Sequence, residues 1–148
     1  METIVLFFSR TGNSKRISEN IAKRLNLKTI EITDDQNWKG IWGFLKGGFY
    51  SVRGKSVNIK INGDISGFDQ YIVVSPLWAG KPAPAVCEFI KQVGADKVNL
   101  VISCNGSDVG KDLEKYESEN KKLKGSFGIV SNREDDEERI NEIINNLK

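Results

Sequence analysis

The residues best placed to do chemistry form one short run, Phe8-Ser9-Arg10-Thr11-Gly12-Asn13-Ser14. The hydroxyls of Ser9, Thr11 and Ser14 are interleaved with Gly12 and Asn13, residue types that accept left-handed backbone angles and let successive N–H groups converge on an anion. Upstream, Thr3-Ile4-Val5-Leu6-Phe7-Phe8 is a continuous β-branched and aromatic run, the pattern of a strand covered on both faces. Downstream, Ile17, Ile21, Ala22 and Leu25 fall on one helical stripe. A phosphate at such a strand-to-helix turn would meet N–H groups, hydroxyls and the positive end of the helix dipole together. A plainer role suits the same residues, with Ser14 capping the helix and Gly12 turning the chain.

Composition removes many alternatives. The 148 residues suit one domain, 1–148, with a sizeable core. A hydrophobic share of 39% and a charged share of 28% are those of a soluble globular protein. No apolar run approaches the roughly twenty residues a membrane span needs, and the N-terminus enters a strand without a signal-peptide pattern. A cytoplasmic protein is expected. Cys87 and Cys104 are too few for a disulfide scaffold and too sparse for a structural zinc site. The chain has no histidine, which excludes a Ser-His-Asp triad, a His-activated cysteine and the usual His-based metal sites.

The elements that must position the first loop follow from periodicity. Strands are expected at Lys28–Ile32, whose alternation suits a sheet edge, and at Tyr71–Val74, Leu100–Ile102 and Phe127–Val130. Helical faces are formed by Val86, Phe89, Ile90 and Val93, by the segment around Leu113 and Tyr116, and by Ile140, Ile143, Ile144 and Leu147. Strands alternating with helices imply right-handed crossovers, and so an α/β fold: a doubly wound five-stranded parallel sheet, order 2-1-3-4-5, with helices on both faces.

In such folds ligands bind beyond the carboxyl ends of the strands, where strand order reverses. Three loops share that edge: Ser9 to Ser14, then Ser75-Pro76-Leu77-Trp78-Ala79-Gly80-Lys81-Pro82-Ala83-Pro84, then Ser103-Cys104-Asn105-Gly106-Ser107. Trp78 lies among prolines and glycines, off any helical apolar stripe, which suits a flat aromatic wall beside a planar ligand. Pro82 and Pro84 suit the start of the next helix.

These three loops resemble those of the flavodoxins, small electron carriers that bind flavin mononucleotide (FMN). Ser9, Thr11, Gly12 and Ser14 match the family's Thr/Ser-x-Thr-Gly-x-Thr/Ser phosphate motif. The resemblance implies that Ser9, Thr11, Asn13 and Ser14, with the backbone from Arg10 through Gly12 to Ser14, hold the phosphate. It implies that Pro76, Leu77, Trp78, Ala79 and Gly80 flank the ring, and that Ser103, Cys104, Asn105 and Gly106 meet its polar edge. The peptide bonds between Trp78 and Gly80 would be the ones to reorient on flavin reduction. The cofactor would carry the redox chemistry, with no catalytic side chain and no metal. The function so implied is shuttling electrons between partner enzymes. An FMN-dependent NAD(P)H:quinone or flavin oxidoreductase on the same fold, and a flavin-free binding module, are the alternatives.

Two features depart from the family. Flavodoxins are acidic, whereas this chain has 22 Lys+Arg against 20 Asp+Glu, a formal +2. Residues 36–63 carry no acid, and Lys39, Lys46, Arg53, Lys55 and Lys60 alternate there with Trp38, Trp42, Phe44, Phe49 and Tyr50. The aromatics suit the core face of a second helix with solvated lysines, or a lid or docking patch for redox partners near Lys39, Lys46, Arg53 and Lys55, or shallow membrane or nucleic-acid contact. A monomer with no membrane span and no nucleic acid is expected. Glu134-Asp135-Asp136-Glu137-Glu138 opens the last helix, where negative charge complements the dipole.

Overall fold

The computed structural model describes residues 2–40, 42, 43, 45–47, 57–104, 109–119, 122–130 and 136–148. In chain order the elements are β1 (Thr3–Phe7), α1 (Asn13–Leu25), β2 (Thr29–Asp34), β3 (Ile59–Ile61), β4 (Gln70–Trp78), β5 (Lys81–Pro82), α2 (Pro84–Val93), β6 (Val98–Cys104), α3 (Val109–Glu119), β7 (Gly125–Val130) and α4 (Asp136–Leu147). Residues 40, 42, 43 and 45–47 are helical as well.

The parallel strands lie in the order β2-β1-β4-β6-β7, which is the 2-1-3-4-5 order expected. Val5 of β1 registers with Ile72 of β4, and Val73 of β4 with Leu100 of β6. Because side chains alternate along a strand, the apolar run of β1 feeds two cores. Ile4, Leu6 and Phe8 join Val73, Leu100 and Ile102 beneath Val86, Phe89 and Ile90 of α2 and Leu113 and Tyr116 of α3. Val5 and Phe7 join Ile72, Val74, Val101 and Ile129 beneath Ile17 and Ile21 of α1 and Ile140, Ile143 and Ile144 of α4. The two helices of this second face are also tied by charge. Arg16 and Arg24 of α1 pair with Asp136 and Glu137 in the first turn of α4, so those acids serve an interhelical contact besides the dipole.

The sheet is larger than expected. β3 pairs antiparallel with β2, and the two-residue β5 pairs antiparallel with β4. β2 is therefore not an edge strand: Ile59 and Ile61 of the alternating Ile-Lys-Ile run cover it, and Ile32 is fully buried. Pairing satisfies the N–H and C=O groups that a bare edge would expose. β5 exists because β4 continues to Trp78 and turns back through Ala79 and Gly80, at φ +50° and +79°. Two successive positive φ angles make the two-residue hairpin turn whose twist matches the flanking strands. Pro76, Leu77 and Trp78 thus belong to a strand and not to a loop, as do Ser103 and Cys104 at the end of β6.

Candidate functional site

The carboxyl ends of β1, β4 and β6 enclose a crevice of about 270 Å³ lined by Ser9, Arg10, Thr11, Asn13, Ser14, Pro76, Leu77, Trp78, Ser103 and Cys104. Ten of the fifteen residues singled out in the sequence therefore share one cavity. Gly12 sits between its lining residues as the residue before α1. Ala79 and Gly80 line a neighbouring cavity of about 280 Å³, with Lys81, Asp112, Lys115, Tyr116 and Glu119. Asn105 and Gly106 lie outside the described residues.

The first loop is built around Gly12. Its φ of +96° strains any residue with a Cβ, although space for one is open. Its N–H donates to Ser9 Oγ at 2.9 Å, closing the loop on itself. Gly12 also takes the N-cap position of α1, and no side chain caps that helix. The plainer role for Ser14 is therefore corrected. Ser14 is buried, and its Oγ lies 3.3 Å from Ser103 Oγ of β6, itself buried. The first N–H groups of a helix have no intrahelical acceptor, so this turn presents an electropositive backbone to the crevice beside three hydroxyls. The Asn13 side chain is oriented sideways, its Oδ1 accepting from Arg16 at 2.9 Å while Arg16 also pairs with Asp136.

Trp78 lines the crevice but is not a bare wall. Its ring meets Phe8 edge-on at 5.5 Å between centroids and Trp38 at 5.1 Å. Trp38 is only 6% exposed, so it is core as expected, although it precedes the helical residues and does not sit on a helix face. The core reading fails for Trp42, which is 80% exposed; the nearby Leu45 is 56% exposed. Lys46 Nζ stands 5.3 Å over the Trp38 ring, a cation–π contact that holds the lysine stem against the aromatic cluster. Phe44, Phe49, Tyr50, Arg53 and Lys55 lie outside the residues whose side chains are described.

Several site features carried no signal in the sequence. The Trp38 indole N–H donates to both carboxylate oxygens of Asp34, at 2.9 and 2.8 Å. Burial pushes the Asp34 carboxyl above its ordinary pKa, against the opposing hydrogen bonds from Gln36 and Trp38. Arg10, expected to contribute backbone, sends its side chain to the Trp38 and Gly40 carbonyls. Ser75, fully buried, accepts from Ala83 N–H at 3.0 Å and so ties the end of β4 to the start of α2. The Cys87 thiol is driven up to about 11 by burial, which keeps it protonated and unreactive at neutral pH.

No family model matches the chain, and no curated protein matches it. Solved structures do. The flavoprotein of Lactobacillus acidophilus NCFM, in complex with FMN, aligns with a TM-score of 0.70 at 17% identity over 86% of this chain and 92% of that one. A Bacteroides uniformis protein described as a candidate flavoprotein aligns with a TM-score of 0.75 at 15% identity, over 96% of this chain and 97% of that one. The NADPH-quinone reductase from P. pentosaceus aligns with a TM-score of 0.55 at 10% identity, over 100% of this chain and 98% of that one. The chain has the flavodoxin-like α/β fold that these proteins share.

Proposed function

We propose that this chain binds FMN in the crevice at the ends of β1, β4 and β6 and acts as an electron-transfer flavoprotein. The observation that carries the reading is the meeting, in one cavity, of an uncapped helix N-terminus, the hydroxyls of Ser9, Thr11 and Ser14, and the indole of Trp78. The donor set fits a phosphate monoester: it offers N–H and O–H groups, and the first turn of α1 contains no acid. The solved FMN complex on the same fold adds support.

In this reading Ser9, Thr11 and Ser14, with the backbone of residues 10–14, bind the phosphate. Ser103 orients the Ser14 hydroxyl. Leu77 and Trp78 shield one side of the ring from water, and the Ala79-Gly80 turn presents peptide groups to its edge. Ser103 and Cys104, with Asn105 and Gly106, frame the polar end. FMN supplies the chemistry of taking up and releasing one or two electrons, while the protein sets affinity and potential by packing, hydrogen bonding and charge. No side chain acts as acid, base or nucleophile. Redox partners dock on the basic segment, where exposed Trp42 and Leu45 stand near Lys39 and Lys46 in a stretch without a single acid. Among the described residues no helix is long and apolar enough to cross a membrane. The whole chain works as one domain and as a monomer.

The visible spectrum of freshly purified protein, followed by titration of the flavin-free form with FMN, tests this. A yellow protein, or saturable 1:1 binding, is the expected result; a colourless chain that does not take up FMN overturns it and favours a flavin-free binding module. The fold shared with an NADPH-quinone reductase supports a second reading, direct use of a nicotinamide. Steady NAD(P)H oxidation by the holoprotein with a quinone would favour that enzyme; no turnover without a separate reductase would favour the carrier.

A further inference from the structure

Arg10 stands in the first loop, yet its guanidinium reaches out of it. Nε donates to the Trp38 carbonyl at 2.7 Å and Nη2 to the Gly40 carbonyl at 2.9 Å. Those carbonyls stand at the head of the segment in which residues 40, 42, 43 and 45–47 are helical. The stretch lies tight against the aromatic side of the crevice. A Cβ on Gly43 would fall 2.0 Å from the Trp38 carbonyl, and one on Gly47 only 3.0 Å from the Trp78 ring. Gly43 thus lets the segment close on the Trp38 main chain and Gly47 lets it close on the Trp78 indole, while the Trp38 indole is held by Asp34.

We propose that Arg10 is a positioning residue that staples residues 38–40, 42, 43 and 45–47 to the phosphate loop as the outer wall of the crevice, and thereby sets how fast FMN leaves. The proposal rests on the flavin reading above. A planar guanidinium can bridge two neighbouring carbonyls, whereas a lysine ammonium is a point donor on a flexible stem. This distinguishes stapling from simple attraction between Arg10 and the phosphate. Charge attraction survives Arg10→Lys and matters only for a phosphorylated ligand. Stapling is lost in Arg10→Lys as in Arg10→Ala, and it matters equally for riboflavin, because the wall stands against Trp78 at the ring end of the site.

The test uses the full-length protein with FMN and riboflavin as probes, following flavin fluorescence by stopped flow. Arg10→Ala and Arg10→Lys are both expected to release both flavins about tenfold faster, the order expected from losing two hydrogen bonds to a charged group on a partly exposed surface. Association rates should change little. Unchanged release, rescue by lysine, or an effect confined to FMN each overturns the proposal. Hydrogen exchange of peptides covering 38–47 in the flavin-free protein is expected to be faster in both variants, and equal exchange also overturns it. That readout needs no flavin, so a wild-type protein that fails to bind FMN sinks the flavin reading while leaving the staple separately decided. Should circular dichroism show the Arg10 variants unfolded, Gly47→Ala forces a methyl between the wall and Trp78 from the other end. It should speed release of both flavins, and an unchanged rate overturns the proposal.

Discussion

Ser14 Oγ and Ser103 Oγ stand 3.3 Å apart, both buried, and join the first turn of α1 to the carboxyl end of β6 across 89 residues of chain. One hydroxyl donates to the other, so the acceptor keeps its own proton for a further partner in the crevice. Ser103→Ala should cost about 1 to 3 kcal/mol, because it leaves a buried hydroxyl without its partner. The Ser14→Ala/Ser103→Ala double variant should cost less than the sum of the single changes. Urea unfolding of the four proteins measures both, and strict additivity would show that the pair is not coupled.

Thr11 lines the crevice on the exposed side of the first loop. Thr11→Val keeps the shape and removes the hydroxyl. It should weaken FMN binding by about 1 to 3 kcal/mol and leave riboflavin binding unchanged. Paired titrations with the two flavins check this; equal losses would place Thr11 away from the phosphate.

Gly80 occupies the second position of the β4–β5 turn at φ +79°, and a Cβ there would lie 3.3 Å from Asp112 Oδ1. Gly80→Ala should therefore destabilise the protein by about 1 to 2 kcal/mol through left-handed strain. Ala79 already carries such strain at φ +50°, so Ala79→Gly should be near neutral or stabilising. Thermal and denaturant unfolding of the two variants should move apart, and a stable Gly80→Ala protein would show that the turn rearranges freely.

Asp34 binds its proton more tightly in the folded protein than in the unfolded chain, since burial raises its pKa above 3.8. Its contribution to stability is then complete below the unfolded value and is lost as pH rises through the raised folded value. Asn at this position still accepts from the Trp38 indole but never ionises. The stability of the wild type minus that of Asp34→Asn should fall across this window and level off above it. Urea midpoints from about pH 3 to about pH 7 follow the difference; a difference that rises with pH would contradict the raised pKa.

The basic, aromatic segment shows where local reading stops. Trp38 and Trp42 are the same residue type four positions apart, yet one is 6% and the other 80% exposed. Nothing in their immediate sequence distinguishes them. What does is Asp34 at the end of β2, which holds the Trp38 indole, and Trp78 at the end of β4, which packs against it. The edge assignment of β2 failed for a related reason. Its partner β3 begins only at Ile59, and a three-residue run is too short to declare itself by periodicity.

By itself the sequence determined the parallel sheet, the two helical layers and the loop at the end of β1. Continuous apolar runs and 3.6-residue stripes record directly which faces are buried, and Gly12 records the one backbone angle the loop needs. Only the tertiary structure decided that Ser14 faces Ser103, that Arg10 reaches Trp38 and Gly40, and that Trp78 is walled in by other aromatic rings. Those contacts join residues 28 to 89 positions apart or lie at the ends of neighbouring strands. Such partners are chosen by the crossovers that bring strand ends together, and no local pattern encodes that choice.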